Sequence, residues 1–172
     1  MDSFFTCFYF KYFTYPNNRF KISRTTAPAQ AAWPTGATTF NDAVDMTDGI
    51  RRNGNNYYIS TAEGLNLLCD FDVAPDPVDK NWNPAWTFYL ENDIDMSAYP
   101  NFIIAASGKY KFTGTFDGQG HSITMKSSVS GNAGLFRYAM NITIKNLTLK
   151  GSIEASNIAC GFHCCAEWWH NS

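Results

Sequence analysis

Charge is scarce in this sequence, and no stretch of it is strongly basic. Charged residues make up 16% of the 172 residues, and the formal net charge is −2 with both signs mixed along the chain. A nucleic-acid-binding protein usually carries a basic patch or stripe that attracts the phosphate backbone. The sequence therefore predicts no nucleic-acid partner.

Long apolar runs are also missing. The aromatic stretch 1–13 is interrupted by Lys11, and it is shorter than the roughly 20 apolar residues that a membrane-spanning helix needs. The sequence therefore predicts no membrane span. The alanine-rich segment 27–34 is typical of the cleavage region of a secretion signal, but no basic region precedes the apolar stretch. We interpret 1–56 as a leader and irregular arm, with a secretion signal as the second interpretation.

Cysteine is present but follows no regular pattern. The sequence contains five cysteines, and an odd number without regular spacing does not predict a disulfide framework. The C-terminal tail holds thiols and imidazoles, which zinc prefers as ligands, at Cys160, His163, Cys164, Cys165 and His170. A structural zinc site usually joins two separated ligand pairs, whereas these residues form one dense cluster. We therefore predict no metal and no cofactor, and an irregular tail over 154–172.

What the sequence does contain is a loose repeat in its second half. Three segments each alternate apolar and polar residues around a turn that contains Asn, Asp or Gly, and these are 89–97, 112–125 and 142–153. Self-similarity of this kind indicates stacked repeats. Aligning the segments places Ile94, Ile123 and Leu147 at equivalent apolar positions. We expect them to lie on adjacent rungs of one core stack.

These segments resemble the opening coils of right-handed parallel β-helix proteins of the pectin-lyase-like superfamily. The matching motifs are YLENDIDMS at 89–97, FTGTFDGQGHSI at 112–123, AGLF at 133–136 and ITIKNLTLKGSI at 142–153. The chain is most similar to the GLUG-containing bacterial surface proteins and adhesins, although Arg137 stands where their pattern has a second glycine. The resemblance implies an all-β fold, a right-handed parallel β-helix of about three coils over 57–153.

A short helix is predicted in front of the first coil. Ser60 and Glu63 match a capping box, in which the hydroxyl accepts from a backbone amide while the carboxylate reaches back. Gly64 costs this helix about 1 kcal/mol relative to alanine, so tertiary packing has to hold it. We expect the helix to cover the end of the first coil, with an ordinary surface helix as the alternative.

Aromatic and amide side chains follow in and around the first coil. Trp82 and Trp86 offer a sugar-stacking surface in one interpretation, but burial in the core is favoured because large aromatic residues usually bury. Asn92 and Asn146 lie at predicted corners and are expected to stack in an asparagine ladder. Asn141 and Asn146 also match the N-glycosylation pattern, for which a structural role is again favoured. The residues predicted to point into the core are Phe88, Leu90, Ile94 and Met96.

Catalytic signatures are the last feature that the sequence lacks. Lyases and hydrolases of the superfamily use acidic calcium ligands or paired aspartates, and this chain offers Asp93, Asp95 and Asp117 on its coils. It has no Asp-Asp pair, no Asn-Thr-Asp and no Gly-His-Gly motif. We interpret Asp93 and Asp117 as turn formers, and His121 as a solvated or capping residue after a glycine turn. The sequence therefore predicts no catalytic, cofactor-binding or metal-binding residue.

Fold resemblance alone does not define a function. We expect a non-catalytic, secreted or cell-surface module for adhesion or carbohydrate contact, which forms part of a longer protein. One alternative is the front of a polysaccharide lyase or glycoside hydrolase whose catalytic coils lie elsewhere, and another is a structural spacer. The expected partners are a glycan or host-surface ligand and, through the apolar edge of the last coil, a second copy of the chain.

Overall fold

A computed structural model of the protein describes residues 33–69, 82–105, 111–157, 159 and 161–162. These residues form two short α-helices and eight β-strands. Among the helices in these ranges, none is long and apolar enough to cross a membrane. The elements are α1 (Phe40–Asp45), β1 (Ile50–Asn53), β2 (Asn56–Ile59), α2 (Ala62–Asn66), β3 (Thr87–Leu90), β4 (Ile94–Asp95), β5 (Phe112–Asp117), β6 (Ser122–Val129), β7 (Ala139–Lys145) and β8 (Thr148–Ala155).

The strands are arranged in two sheets. The larger sheet has the order β1-β2-β3-β5-β7, and the smaller sheet has the order β4-β6-β8. Strands β1 and β2 are antiparallel, whereas all other neighbours are parallel. From β3 onward, consecutive strands alternate between the two sheets. Each of these strands therefore pairs with the strand that lies two positions away in the sequence.

The predicted all-β class is wrong. The described residues form a mixed α/β arrangement, in which two helices accompany two sheets and one sheet contains an antiparallel hairpin. The expectation of a right-handed parallel β-helix of about three coils is corrected to this architecture. The physical reasons are local. Thr39 and Thr61 cap helices, and Gly54, with a φ of 59°, allows the tight turn that folds β1 back onto β2.

Helix α1 and strand β1 lie in the segment that we expected to be irregular. Thr39 and Asp42 form a complete capping box: the Thr39 hydroxyl accepts from the Asp42 amide at 3.1 Å, and the Asp42 carboxylate accepts from the Thr39 amide at 2.9 Å. The sequence carries this signal as Thr-x-x-Asp. Hydrogen bonds from Thr38, and then those from Thr39, also lower the pKa of Asp42. A helix of only six residues depends on this cap and on packing.

Helix α2 exists where it was predicted, but its cap is different. Thr61, not Ser60, is the N-cap, and its hydroxyl accepts from the Gly64 amide at 3.1 Å. Ser60 instead extends the hairpin, because its amide donates to the Gly49 carbonyl at 2.8 Å. Gly64 is required by close packing, since a Cβ at that position would lie 2.3 Å from the Gly49 carbonyl oxygen. Glu63 lies in the first turn of the helix.

The core is an aromatic cluster that begins at α1 and continues along the inward face of the larger sheet. Phe40 lies 5.4 Å from Tyr57, and Tyr57 stacks on Phe88 at 4.8 Å. Trp82 and Trp86 are buried in the same cluster, at 3% and 7% exposure, so the prediction that they join the core is confirmed. The residues predicted to point inward are all buried, namely Phe88, Leu90, Ile94 and Met96.

The register of the smaller sheet confirms part of the predicted alignment. Ile94 pairs with Ile123, as expected, but Ile123 pairs with Leu149 and not with Leu147. Asn146 adopts the left-handed conformation with a φ of 52°, and β8 begins only at Thr148. Leu147 therefore belongs to the turn, and Leu149, two residues later, takes the position in the stack that we expected for Leu147.

Candidate functional site

The outward face of the larger sheet carries a row of small polar side chains. Asn56, Thr87, Thr115 and Thr143 occupy one register position on four neighbouring parallel strands. We call these four residues the threonine row. Parallel strands lie about 4.8 Å apart, so the three threonines repeat a hydroxyl group at that interval. The next residues along three of the strands, Tyr57, Phe88 and Phe116, are fully buried, which places the threonine row on the opposite, outer side.

A second row lies two residues further along the same strands. It consists of Arg51, Tyr58, Tyr89, Asp117 and Lys145, which are in register across all five strands. Tyr58 stacks on Tyr89 with 5.3 Å between ring centroids, and the Arg51 guanidinium lies 4.1 Å from the centroid of Tyr58. We call this set the tyrosine row, and we call the two rows together the ladder face.

The charged members of the tyrosine row are paired. Arg51 forms an ion pair with Glu91, which follows β3. Lys145 donates to the Asp117 carboxylate at 3.2 Å. Because the Asp117 side chain is only 4% exposed whereas that of Lys145 is 52% exposed, the negative charge is shielded and the ammonium faces solvent.

Asp117 is held by the turns at the end of the larger sheet. Its Oδ1 accepts from the Gln119 amide and from the Asn146 side chain, each at 3.0 Å. Burial alone would raise the pKa of Asp117, but these hydrogen bonds and that from Lys145 outweigh it and lower the pKa below its ordinary value. The bond to Gln119 confirms the predicted turn-forming role of Asp117.

Asp93 has a different role from the one predicted. Its Oδ1 accepts from the Ser122 amide at 2.8 Å and lies 3.5 Å from His121 Nδ1. The hydrogen bond from Ser122 is the main cause of the lowered pKa of Asp93. Asp93 thus links the turn before β4 to the turn before β6, and the same Oδ1 atom also contacts His121. Lys150 donates to the Ser122 hydroxyl at 3.0 Å, which extends the link to β8.

The third predicted carboxylate, Asp95, accepts from the Ser97 amide at 2.8 Å. All three aspartates are therefore used in hydrogen bonds to turns or strand starts. Within the described ranges, no three His, Cys, Asp or Glu side chains are grouped closely enough to hold a metal ion. Cys160, His163, Cys164, Cys165 and His170, the tail residues considered for zinc, lie outside the described residues.

The expected asparagine ladder is not formed. Asn92 donates to the Ser60 carbonyl at 3.0 Å, whereas Asn146 donates to Asp117. Each amide reaches back to the turn of an earlier strand, and the two do not share a register position. Of the two glycosylation-pattern residues, Asn146 has this structural role, and Asn141 is an exposed residue of β7 at the irregular part of its pairing with β5.

Sequence reasoning missed the ladder face. It weighed Trp82 and Trp86 as sugar-stacking residues, but these are buried, and the aromatic pair on the outer face of the larger sheet is the half-buried Tyr58 and Tyr89. A signal was present: Thr87-Phe88-Tyr89, Thr115-Phe116-Asp117 and Thr143-Ile144-Lys145 recur at equal intervals. Aligning these triplets, instead of the residues after the turns, identifies both rows.

A shallow depression lies beside the ladder face where two turns meet. It is lined by Gln119, Gly120, Asn146, Leu147 and Thr148. These residues supply amide and hydroxyl groups for hydrogen bonding around one apolar side chain. The depression can extend a polar contact surface beyond the ends of β5 and β7.

No family model, no curated protein and no solved structure matches this chain. The resemblance to GLUG-containing surface proteins of the pectin-lyase-like superfamily therefore stays a prediction. The chemistry of the described surface is therefore the basis for the function proposed below.

Proposed function

We propose that this chain is a non-catalytic contact module that binds a glycan through the ladder face, in a secreted or cell-surface protein. The observation that carries the proposal is the stacked pair Tyr58 and Tyr89 beside the threonine row, on one outward face. Sugars present apolar patches that pack against aromatic surface and hydroxyl groups that form hydrogen bonds. On β2 and β3 the ladder face offers both kinds of partner within two residues.

The roles of the carboxylates support the non-catalytic part of the proposal. A glycoside hydrolase places two carboxyl groups on either side of the scissile bond. Here Asp117 is shielded by Lys145 and Asn146, while Asp93 is engaged with Ser122. The resemblance to surface proteins and adhesins is the basis for proposing a secreted or cell-surface setting.

Binding to a glycan array, followed by titration calorimetry, tests this function. Tyr89→Ala should weaken binding about two- to tenfold, since stacking on one aromatic ring contributes about 0.5–1.5 kcal/mol. Thr124→Ala, on the strand β6 of the smaller sheet, is the matched control and should bind like the wild type. The melting temperature of each variant separates a lost contact from a lost fold.

The other two interpretations give different results in the same experiments. A structural spacer would bind none of the glycans at any concentration. The front of a polysaccharide lyase or glycoside hydrolase would bind the polymer of that enzyme and would show turnover only when joined to the catalytic coils that lie elsewhere. Turnover by the chain alone, abolished by Asp117→Asn or Asp93→Asn, would contradict the non-catalytic proposal. Reducing-end and unsaturated-product assays measure that turnover directly.

We also propose that a second copy of the chain pairs with the edge formed by β7 and β8. Within the described ranges, β7 pairs only with β5, and β8 pairs only with β6. An unpaired strand edge is a template for another strand. The side chain of Met140 in β7 is 52% exposed, which adds apolar surface to that edge.

Two methionines provide a matched pair of variants for this second proposal. Met140→Lys should reduce concentration-dependent association in light scattering, because lysine on an edge strand disfavours pairing. Met46→Lys changes an equally exposed methionine at the end of α1 and should leave association unchanged. A monomer at every concentration for the unmodified chain would contradict the proposal.

A further inference from the structure

We infer that the ligand of the ladder face is a neutral, extended glycan whose chain runs across the strands of the larger sheet. This inference rests on the proposed glycan-binding function and adds the charge class and the direction of the ligand. It depends on two independent features of the face, which are the pairing of its charges and the direction of its rows.

The charges favour a neutral ligand. Both cationic members of the tyrosine row already have acidic partners, Arg51 with Glu91 and Lys145 with Asp117. The threonine row carries no charge at all. An acidic polysaccharide needs cations that can pair with its carboxylates or sulfates, as Arg and Lys do in most anion sites. On this face such pairing would have to compete with Glu91 and Asp117.

The direction of the rows favours an extended chain that crosses the strands. Along the threonine row, a hydroxyl group recurs on β3, β5 and β7, about every 4.8 Å, and β2 carries the polar amide of Asn56 at the same position. Along one strand, by contrast, the next outward residue is chemically different: Thr87 is followed by Tyr89, and Thr143 is followed by Lys145. A ligand with repeated, similar units therefore meets repeated, similar partners only if it lies perpendicular to the strands.

The two rows then have different roles toward such a ligand. The tyrosine pair supplies apolar contact along one side of the chain, since the rings of Tyr58 and Tyr89 are half-buried and stacked on each other. The threonine row supplies hydroxyl groups along the other side, which donate and accept hydrogen bonds. Contacts at successive strands should add, so affinity should grow with the length of the oligosaccharide.

The test compares length, charge and one hydroxyl. Neutral oligosaccharides of two to six units and uronic-acid oligosaccharides of the same lengths are titrated into the intact chain at low and high salt. We expect neutral ligands to bind with affinity that rises at least tenfold from the shortest to the longest. We expect uronic-acid ligands to bind at least tenfold more weakly, and neutral binding to be insensitive to salt because no charge pair forms.

Thr115→Val tests the row itself, because it removes the central hydroxyl and keeps a β-branched side chain suited to a strand. It should weaken binding of the longest neutral ligand about fivefold or more and leave the shortest nearly unchanged. Thr124→Val in β6 is the control and should bind like the wild type.

The failure of this inference differs from the failure of the proposed function. Equal or tighter binding of uronic-acid ligands, a lack of length dependence, or wild-type binding by a folded Thr115→Val variant overturns the inference alone. Absence of binding to every glycan overturns the proposed function as well.

Discussion

The two ends of the described molecule are built differently. At the N-terminal end, α1 and the β1–β2 hairpin enclose a cluster of aromatic rings, and Phe40 and Tyr57 are 1% and 0% exposed. At the C-terminal end, the inward residues of β7 and β8 are only partly buried, including Ile144 and Leu149. The same type of parallel pairing continues through both regions.

This difference separates two sources of stability. Backbone pairing is similar from strand to strand, but the removal of apolar surface from water is concentrated where aromatic side chains from the helix, the loop before β3 and the larger sheet meet. Buried apolar area contributes about 25 cal/mol per Å². The N-terminal end should therefore control global unfolding, and the C-terminal strands should open at lower free energy.

Truncating one side chain at each end gives the largest expected effect. Phe40→Ala should lower the free energy of unfolding by about 3–5 kcal/mol, as a buried phenylalanine does when a cavity replaces it. Ile144→Ala in β7 should cost about 1–2 kcal/mol, since its side chain is already partly hydrated. Chemical denaturation measures both values. Equal losses at the two sites would show that the ends are equally well packed.

The N-terminal end should also make the folded protein less stable at alkaline pH, because of Tyr57. Burial raises the pKa of Tyr57 to about 12 from 10.0, and its hydroxyl donates to the Asn41 side chain at 2.7 Å. The folded state thus favours the neutral phenol. The resulting stability is complete below pH 10 and is lost as the pH rises toward 12, by on the order of 2 kcal/mol.

Unfolding experiments between pH 9 and 12 measure this alkaline loss. Tyr57→Phe should remove the pH dependence, although loss of the hydrogen bond to Asn41 costs about 1 kcal/mol at neutral pH. Tyr58→Phe, on the ladder face, should keep it. An unchanged alkaline profile in Tyr57→Phe would show that another group sets the limit.

The turns toward the C-terminal end should cause a smaller loss of stability at acidic pH, because of Asp117. The pKa of Asp117 is lowered below its ordinary value of 3.8 because its hydrogen bonds outweigh its burial. Its stabilising contribution is therefore present above that value and is lost as the pH falls through the lowered pKa. We expect a loss on the order of 1 kcal/mol.

Asp117→Asn should flatten this acidic loss, and Asp95→Asn is the control because, among the described residues, the Asp95 side chain accepts a hydrogen bond only from Ser97 in its own turn. Hydrogen exchange at acidic pH locates the effect. Protection should fall first in β7 and β8, and a first loss in α1 or the hairpin would contradict the assignment of Asp117 to the C-terminal region.

The sequence predicted the inward residues of β3 and β4 and the burial of Trp82 because these follow from alternation and from the size of the side chains. It placed Ile123 correctly but put Leu147 in the stack, since alternation does not reveal how long a turn is. The conformation of Asn146 adds residues to that turn. Asn146 in this conformation donates to Asp117, a contact that no local pattern contains.

The fold class was missed for a related reason. The resemblance was applied to 57–153 and the segment 1–56 was interpreted as irregular, whereas the first half of the chain follows its own local signals at Thr39, Gly54 and Thr61. Ser60 and Thr61 are adjacent and both suit a helix cap. Only the contact between Ser60 and Gly49 decides between them. The candidate site was missed because an outward row exists only after strands are paired.

The alternation of strands between the two sheets has a consequence for synthesis. Each strand from β5 onward pairs with the strand that was made two strands earlier, and no described strand waits for a partner made much later. Domains that can be assembled in the order of translation expose little unpaired edge while they grow. Among the described residues, the rings that pack on Phe40 have all been made once β3 has been made, so a nascent chain has an aromatic core onto which the later strands are added in turn.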